Sequence, residues 1–347
     1  MRDFIYLSRY AGMREDLVQA GGINSSVKIS ATQMLIKASG CQLAEVSEDY
    51  GWCTVNPRII QDYFSGDKAE TTQEDEKIII NGCLVSGKRP SIETFIHSIT
   101  KKYTLHTHPT VVNILTSTNA GWDELKTLFP NAMFVEYATP GIKLAAEYFR
   151  TCRSSGTVPD TIFLKNYGLV VSEESAEFVK GRMEEVLRKI EGHLKMDMER
   201  HHTSTEIYDV MRNVPELKDK VVYLSLHHDI LEGLGVFGLG LWDWQFCPDC
   251  IVYCGMKALQ LEEHFTEKAF ESHMQKYALP VILVYKGHLY ILADSMKKAK
   301  DTEAVLAFSA QVALANRDRG LPMNLLPGDE QGFLLNWDAE KYRQDMK

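Results

Sequence analysis

Residues 103–109 read Tyr-Thr-Leu-His-Thr-His-Pro, a short run in which two histidines stand two positions apart. Because a β-strand points successive side chains to opposite faces, His106 and His108 are predicted to share one face of a strand. Two imidazoles on one strand face supply two of the three protein ligands of a catalytic zinc-type site. Pro109 ends the strand, since proline has no N–H for the ladder. The run therefore predicts half of a metal site.

An acidic residue lies upstream of this strand. Residues 90–93 read Pro-Ser-Ile-Glu, and a proline just ahead of a helical pattern marks a helix start. From this position Glu93 can fold back toward the two histidines, either as a carboxylate base or as a further oxygen ligand. A lone interior histidine is usually a structural hydrogen-bonding group. The combination of two histidines and an acid favours a metal, with a third ligand coming from elsewhere in the chain.

Length, composition and charge exclude several classes of protein. The chain has 347 residues, which fits one large domain or two. A formal net charge of −9 disfavours nucleic acid and anionic membranes as partners. No apolar run approaches the roughly 20 residues that span a bilayer, and the N-terminus lacks the features of a signal peptide. The seven scattered cysteines suit reduced thiols, so we expect a cytoplasmic protein.

The order of the patterns predicts an α/β protein. We expect a helix over residues 3–20, a surface loop over 65–77 and a strand over 78–84. A large sheet layered by helices is predicted for residues 1–205, followed by a smaller α/β extension over residues 206–347.

A glycine turn near the N-terminus is a candidate anion site. Residues 21–26 read Gly-Gly-Ile-Asn-Ser-Ser. Such a turn exposes backbone N–H groups beside the side chains of Asn24, Ser25 and Ser26, which suits an oxyanion. The alternative is a plain hairpin or loop, which these residues favour when they are taken alone.

Two further groups of ligand-type residues lie in the second half. Cys247-Pro248-Asp249-Cys250, followed by Cys254 and His264, has a spacing that fits no established zinc knuckle. We favour structural cysteines over zinc, and zinc over redox chemistry. His227-His228-Asp229 is more typical of a solvated loop or interface than of a metal or substrate contact. The chain has no P-loop and no Gly-x-Ser-x-Gly elbow, which argues against ATP hydrolysis and α/β-hydrolase chemistry.

Five segments, taken in order, resemble the class II aldolase/adducin family. They are Gly21–Ser26, Ser39-Gly40, Pro90–Glu93, His106–Pro109 and Leu164–Leu169. Each segment is weak alone, but the ordered set is specific and covers the first half of the chain. The resemblance is closest to the aldolase half of the bifunctional rhamnulose-1-phosphate aldolase/dehydrogenases.

The resemblance implies a fold and an activity. The fold is a three-layer α/β/α domain with a mostly antiparallel central sheet. The activity is that of a metal-dependent lyase of carbohydrate metabolism, which cleaves a phosphorylated sugar of the ketose-1-phosphate type through an enediolate. A divalent metal, Zn²⁺ or else Mn²⁺ or Co²⁺, would stabilise the enediolate charge. The resemblance also implies a homo-oligomer, a tetramer in the family.

The same resemblance implies a role for each site residue. Glu93 is the catalytic residue that moves the proton at the carbon of the broken bond, near neutral pH if burial raises its pKa. His106 and His108 bind the metal, and Tyr167 stands at the position of the family's third histidine ligand. The residues implied to bind the substrate phosphate are Asn24, Ser25, Ser26, Ser39, Gly40 and Ser91.

The chain departs from the family pattern at three places in this pocket. Tyr167 offers a phenol, a poor ligand unless a metal lowers its pKa of about 10. Ile23 stands where a glycine usually allows close approach to phosphate, and Ile92 replaces a serine. The departures fit an altered substrate or metal, and they also fit a lost site. The alternatives are a sugar-phosphate epimerase or dehydratase on the same fold, and a non-catalytic adducin-like scaffold. His227, His228 or a neighbouring subunit are further candidates for the third ligand.

Overall fold

The computed structural model describes residues 1–66, 71–243 and 245–328, and residue 333. The chain divides into two compact units, Met1–Met198 and Glu199–Lys347. The domain limits predicted from the sequence, 1–205 and 206–347, stay a prediction.

A mixed sheet of eight strands forms the centre of the first unit. Its strands are β1 (Asn24–Ser30), β2 (Gln33–Lys37), β3 (Trp52–Val55), β4 (Leu84–Gly87), β5 (Tyr103–Thr107), β6 (Met133–Val135), β7 (Thr161–Leu164) and β8 (Gly168–Glu173). The order across the sheet is β4-β3-β2-β1-β5-β8-β7-β6. All neighbours are antiparallel except β6 and β7, which are parallel. β5, which carries the first histidine, is therefore an interior strand.

Within the described part of the first unit, eight helices cover the two faces of this sheet. They are α1 (Arg2–Gly12), α2 (Pro57–Ser65), α3 (Gln73–Gly82), α4 (Thr94–Ser98), α5 (Thr110–Thr116), α6 (Asn119–Leu128), α7 (Ile142–Ser155) and α8 (Ala176–Leu194). Alternate strand residues feed two separate cores. Leu35 packs with α1, α5, α6 and α8, whereas its neighbours Met34 and Ile36 pack with α2, α3, α4 and α7. The predicted three-layer α/β/α fold with a mostly antiparallel sheet is confirmed.

Two predicted elements of the first unit are wrong. The helix predicted for residues 3–20 ends at Gly12. The backbone of Ala44 packs directly against this glycine, since a Cβ added there would lie 2.1 Å from the Ala44 nitrogen. The strand predicted for residues 78–84 is mostly the second half of α3. A capping box between Thr72 and Asp75 starts that helix, and burial of one helix face overrides the β preference of the isoleucines. The surface loop predicted for residues 65–77 is also wrong over residues 73–77, which form the first half of α3, and its residues 67–70 lie outside the described residues.

The second unit is a smaller α/β structure, as predicted. Its strands are β9 (Val221–Ser225), β10 (Leu259–Gln260), β11 (Ile282–Tyr285) and β12 (His288–Ala293), in the order β10-β11-β12-β9. Its helices are α9 (Glu199–Met211), α10 (His228–Phe237), α11 (Pro248–Cys254), α12 (Glu267–Lys276) and α13 (Met296–Asp318). A tight turn at Lys286 and Gly287, both with positive φ, joins β11 to β12. Among the described residues, no helix is both long and apolar enough to cross a membrane.

Candidate active site

The two histidines of the His-Thr-His run lie together at the end of β5. His106 is the fourth residue of the strand and is fully buried, and His108 follows the strand and is half-buried. Their ring centroids are 5.1 Å apart, in an edge-to-face arrangement. Thr107 points its hydroxyl to the other face, toward the sulfur of Met183 at 3.8 Å. The structure thus brings the two imidazoles together as the alternation predicts.

Glu93 reaches this pair of rings from the first residue before α4. It is 4% exposed, and its Oε2 accepts a hydrogen bond from His106 Nδ1 at 2.9 Å. Its other oxygen, Oε1, accepts a very short hydrogen bond from the hydroxyl of Tyr167. Tyr167 lies in the turn from β7 to β8, and its ring centroid is 4.9 Å from that of each histidine. One carboxylate therefore joins a histidine to the tyrosine.

The hydrogen bonds of Glu93 decide its charge. Burial by itself raises the pKa of the carboxyl, but the charge and hydrogen bond of His106 and the hydroxyl of Tyr167 outweigh burial and lower that pKa to about 2. The sequence argument required burial to raise this pKa toward neutrality, and the net shift has the opposite sign. Glu93 is therefore a carboxylate when the site holds no ligand.

The same environment keeps the neighbouring groups neutral. Burial, with the carboxylate of Glu93, raises the pKa of Tyr167 far above its ordinary value, so its phenol keeps its proton. Burial, with the nearby charge of His106, lowers the pKa of His108 to about 4, so its imidazole is neutral at physiological pH. Tyr167 is therefore not a phenolate ligand in this arrangement.

Two nitrogen atoms of the site make no hydrogen bond. The Nε2 atoms of His106 and His108 are buried and have no partner among the described residues. When the ring of His106 is neutral, its Nδ1 donates to Glu93 and its lone pair lies on Nε2. A buried lone pair without a partner is costly, and a divalent metal would satisfy both. These two nitrogens fit a metal.

Another group of potential metal ligands lies outside this site. Within the described ranges, one group of three His, Cys, Asp or Glu residues has ligand atoms that all lie within 4.8 Å of one another: His228, Asp229 and Glu232. The ligand atoms of Glu93, His106 and His108 do not all lie within 4.8 Å of one another. Cys247 and Cys250 have sulfurs 3.1 Å apart, and they do not form such a group with Cys254 or His264.

The predicted anion-binding residues separate into two sets. Asn24 is buried beside the histidines, since it pairs with His106 between β1 and β5, and its Nδ2 donates to Ser91 Oγ at 3.0 Å. A β-bridge between Ala38 and Pro90 brings the exposed Ser39-Gly40 turn close to Ser91. Ser91 also accepts from the backbone N–H of Glu93 at 3.3 Å. Asn24 and Ser91 are therefore in direct contact, and the Ser39-Gly40 turn lies next to the segment that carries Ser91.

The side chains of Ser25 and Ser26 do not join this set. Ser25 Oγ is hydrogen-bonded to Ser8 Oγ at 2.6 Å, and Ser26 Oγ to His97 Nδ1 at 2.7 Å. All of these groups are fully buried within the first unit. Both hydroxyls already have partners inside the protein, and the role of Ser25 and Ser26 at an anion stays a prediction.

The sequence shows a family relationship over the same residues. Residues 2–193 match the model of the class II aldolase and adducin N-terminal domain. The chain belongs to the class II aldolase/adducin family. No curated protein matches the chain.

Solved structures of class II aldolases resemble the first part of this family member. The N-terminal class II aldolase domain of a conserved protein from Thermoplasma acidophilum is 26% identical, with a TM-score of 0.49, and the match covers 55% of this chain and 92% of that one. The aldolase II superfamily protein from Pseudomonas syringae is 15% identical, with a TM-score of 0.42, over 56% and 73% of the two chains. L-fuculose-1-phosphate aldolase from Thermus thermophilus is 16% identical, with a TM-score of 0.38, over 56% and 96%.

One residue at this class II aldolase-type site was missed by the sequence reasoning. Lys37, the last residue of β2, is 1% exposed and donates to the backbone oxygen of Gly21 at 2.7 Å. Its signal in the sequence is a lysine that directly follows the apolar run Met34–Ile36 and directly precedes the Ala-Ser-Gly turn.

Proposed function

We propose that this chain is an aldolase-type lyase that cleaves a phosphorylated sugar of the ketose-1-phosphate class. The observation that carries the proposal is the buried Glu93 carboxylate between His106 and Tyr167, beside two imidazole nitrogens that have no partner among the described residues. Family membership supports an aldolase-type role on a sugar phosphate. We also propose a cytoplasmic homo-oligomer, a tetramer by analogy with the family.

Two histidines would hold the metal in this proposal. The ring of His106 is fixed by its hydrogen bond to Glu93, and the ring of His108 is neutral at physiological pH. Each histidine can therefore offer its Nε2 atom to a metal. A divalent cation, Zn²⁺ or else Mn²⁺ or Co²⁺, supplies electrostatic stabilisation of the negative charge that develops when a carbon–carbon bond next to a carbonyl breaks. Tyr167 stays a hydrogen-bond donor unless its proton leaves.

Glu93 would move the proton. As a carboxylate with a pKa of about 2 it is a weak base, because two hydrogen bonds stabilise its charge. A substrate that draws away either Tyr167 or His106 removes part of that stabilisation and raises the basicity of the carboxylate. Glu93 can then accept a proton from a substrate hydroxyl or return one to carbon. Tyr167 stays protonated throughout.

The phosphate would lie on the other side of the carboxylate. Asn24, Ser91 and the exposed Ser39-Gly40 turn present side-chain and backbone donors there. Ser25 and Ser26 would contribute through the backbone and through buried hydrogen bonds, since their hydroxyls already have partners.

A second function is favoured by one observation. Tyr167 stands at the position of the family's third histidine ligand, and its hydroxyl is hydrogen-bonded to Glu93. The carboxylate therefore has partners without any metal. That arrangement suits a non-catalytic scaffold of the adducin type. A sugar-phosphate epimerase or dehydratase would use the same residues as the aldolase.

The test combines metal analysis with turnover. Protein purified without a histidine tag is expected to carry about one divalent metal per chain and to release dihydroxyacetone phosphate from one member of a ketose-1-phosphate panel. Chelation should abolish the release, and zinc, manganese or cobalt should restore it. Protein that binds none of these metals and cleaves no substrate after their addition would contradict the enzyme and favour the scaffold.

A further inference from the structure

Two cysteines of the second unit lie in contact at the start of α11. The sulfur atoms of Cys247 and Cys250 are 3.1 Å apart, within hydrogen-bond distance. Cys247 is the residue before the helix, and Pro248 is the first helical residue. The side chain before a helix turns back toward the third helical residue, which is Cys250 here. The backbone N–H of Cys250 also donates to the backbone oxygen of Cys247 at 3.2 Å. One helical turn therefore holds the two thiols together.

The other cysteines of the chain have different surroundings. Among the described residues, which include all seven cysteines, no second pair has its sulfurs in contact. The thiols of Cys53 and Cys83 are buried and donate to backbone oxygens at 3.8 Å and 3.3 Å. A buried thiol of that kind is an inert structural group. Cys247 and Cys250 are hydrogen-bonded to each other instead, so their surroundings are not those of a structural cysteine.

A zinc ion would need two further protein ligands at this pair. Cys254 lies one helical turn after Cys250 and is buried, and His264 lies between β10 and α12. In the described ranges neither of them forms a group of three close ligand atoms with the pair. The arrangement therefore favours chemistry between the two sulfurs over a shared metal.

The two thiols differ in exposure, which gives them different roles. Cys247 is half-buried, whereas Cys250 is 5% exposed and is also hydrogen-bonded to Ser309 of α13. Burial, together with the hydrogen bond to Cys247, raises the pKa of the Cys250 thiol. A dissolved reagent therefore reaches Cys247 first, and Cys250 lies in position to react second.

We propose that Cys247 and Cys250 are a redox-active dithiol, which takes up an internal disulfide by exchange with a small soluble disulfide. The inference is independent of the lyase proposed for the first unit, and it differs from the structural role that the spacing alone favours. The sulfurs need to approach by only about 1 Å to reach the length of an S–S bond.

The exchange has two steps. In the first, Cys247 loses its proton to water, and its sulfur attacks one sulfur of the small disulfide, whose S–S bond breaks and releases one thiolate. In the second, Cys250 loses its proton, and its sulfur attacks the sulfur of Cys247 and expels the second thiolate. Two cysteine thiols are thereby oxidised to one disulfide, and one small disulfide is reduced. The two protons that the cysteines release convert the leaving thiolates to thiols.

Mass spectrometry of the full chain after incubation with oxidised glutathione tests the inference. The reaction is stopped with acid, the remaining thiols are alkylated in denaturant, and the cysteine peptides are mapped. We expect the wild type to lose two of its seven free thiols and to yield a peptide with a Cys247–Cys250 disulfide. Dithiothreitol should restore both thiols.

Variants of the pair separate the two steps. Cys250→Ser should keep glutathione on Cys247, because the second thiol is absent. Cys247→Ser should leave Cys250 unmodified, because that thiol is buried. The matched control Cys152→Ser removes another half-buried cysteine and should form the same disulfide as the wild type. Should Cys250→Ser not fold, Cys250→Ala makes the same comparison.

Three results would overturn the inference. In the first, both cysteines of the wild type can still be alkylated after incubation with oxidised glutathione, or Cys247 keeps glutathione as it does in Cys250→Ser. In the second, the Cys152 thiol is lost to the same extent as the pair, which would show unselective oxidation. In the third, the purified wild type holds zinc that Cys250→Ser lacks, which would show a metal site.

Discussion

Two clusters in this chain contain residues that bind metals, and they differ in almost every other respect. The buried cluster of the first unit consists of Glu93, His106, His108 and Tyr167. The helical cluster of the second unit consists of His228, Asp229 and Glu232 at the start of α10. The ligand atoms of the helical cluster all lie within 4.8 Å of one another, and those of the buried cluster do not.

The difference shows that short distances between ligand atoms do not by themselves make a site. The side chain of His228 is 86% exposed, so water already satisfies its nitrogens. Asp229 accepts a hydrogen bond from Gln311 at 2.5 Å, and the N-terminus of α10 stabilises its negative charge. Its carboxylate therefore has favourable interactions without a cation. In the buried cluster two imidazole nitrogens are shielded from solvent and have no partner among the described residues. A metal would replace existing interactions in the helical cluster and would add missing ones in the buried cluster.

Replacement of the acid should give the largest difference between the two clusters. We expect Glu93→Gln to lower turnover of the cleaved sugar phosphate by ~10²- to 10⁴-fold, because the amide cannot accept a proton. The metal content should change little, since both Nε2 atoms remain and the amide oxygen of the glutamine can still accept a hydrogen bond from His106 Nδ1. Steady-state kinetics with metal analysis on the same sample measures both quantities.

Glu232→Gln is the control from the helical cluster. It removes a carboxylate that lies 3.8 Å from His228 Nδ1, and we expect it to leave turnover unchanged. Equal losses in the two variants would show that the buried carboxylate has no special role.

Replacement of one histidine in each cluster tests where the metal binds. We expect His106→Ala to weaken binding of Zn²⁺ by more than ~100-fold, since loss of a mere supporting partner of a metal ligand already costs ~10- to 100-fold. His228→Ala should retain the wild-type affinity. Competition with a chromophoric chelator measures both, and a loss confined to His228→Ala would reverse the comparison.

Much of the buried cluster was accessible from the sequence because its geometry is local. The period of two in β5 places His106 and His108 on one face, and the helix start at residues 90–93 is close enough in the chain to return Glu93 to them. In the structure Glu93 is hydrogen-bonded to His106, and the ring of His108 lies beside that of His106. The order of the motifs also predicted the layered sheet, since alternate strand residues such as Met34 and Leu35 feed opposite cores.

The contacts that sequence reasoning missed are those made by distant parts of the chain. The hydrogen bond from Tyr167 to Glu93 depends on how β7 and β8 lie beside β5, and it adds to the larger effect of His106 in lowering the pKa of Glu93. Ser25 found a partner on α1, in Ser8, so its hydroxyl is not available to an anion. Lys37 looked like an ordinary end of a strand until the Gly21 turn was placed against it.

Tyr167 allows the smallest change to the buried cluster and decides between its two functions. We expect Tyr167→His to tighten Zn²⁺ binding by ~10-fold, because a third imidazole adds a ligand and removes a phenol that holds Glu93. Tyr167→Phe is the control: it also frees Glu93 but adds no ligand, so the affinity should stay close to that of the wild type. The chelator competition used for the histidine variants measures both.

The effect of these variants on turnover separates the enzyme from the scaffold. If the chain is an enzyme, Tyr167→His should still cleave the sugar phosphate while it holds its metal more tightly. In a scaffold the added histidine creates a metal site without turnover, because nothing else in the pocket is then arranged for the reaction. Tighter metal binding in Tyr167→Phe as well would mean that the Tyr167–Glu93 hydrogen bond, rather than the missing ligand, limits the affinity. The departure from the family pattern would then be a constraint on the carboxylate and not the loss of a ligand.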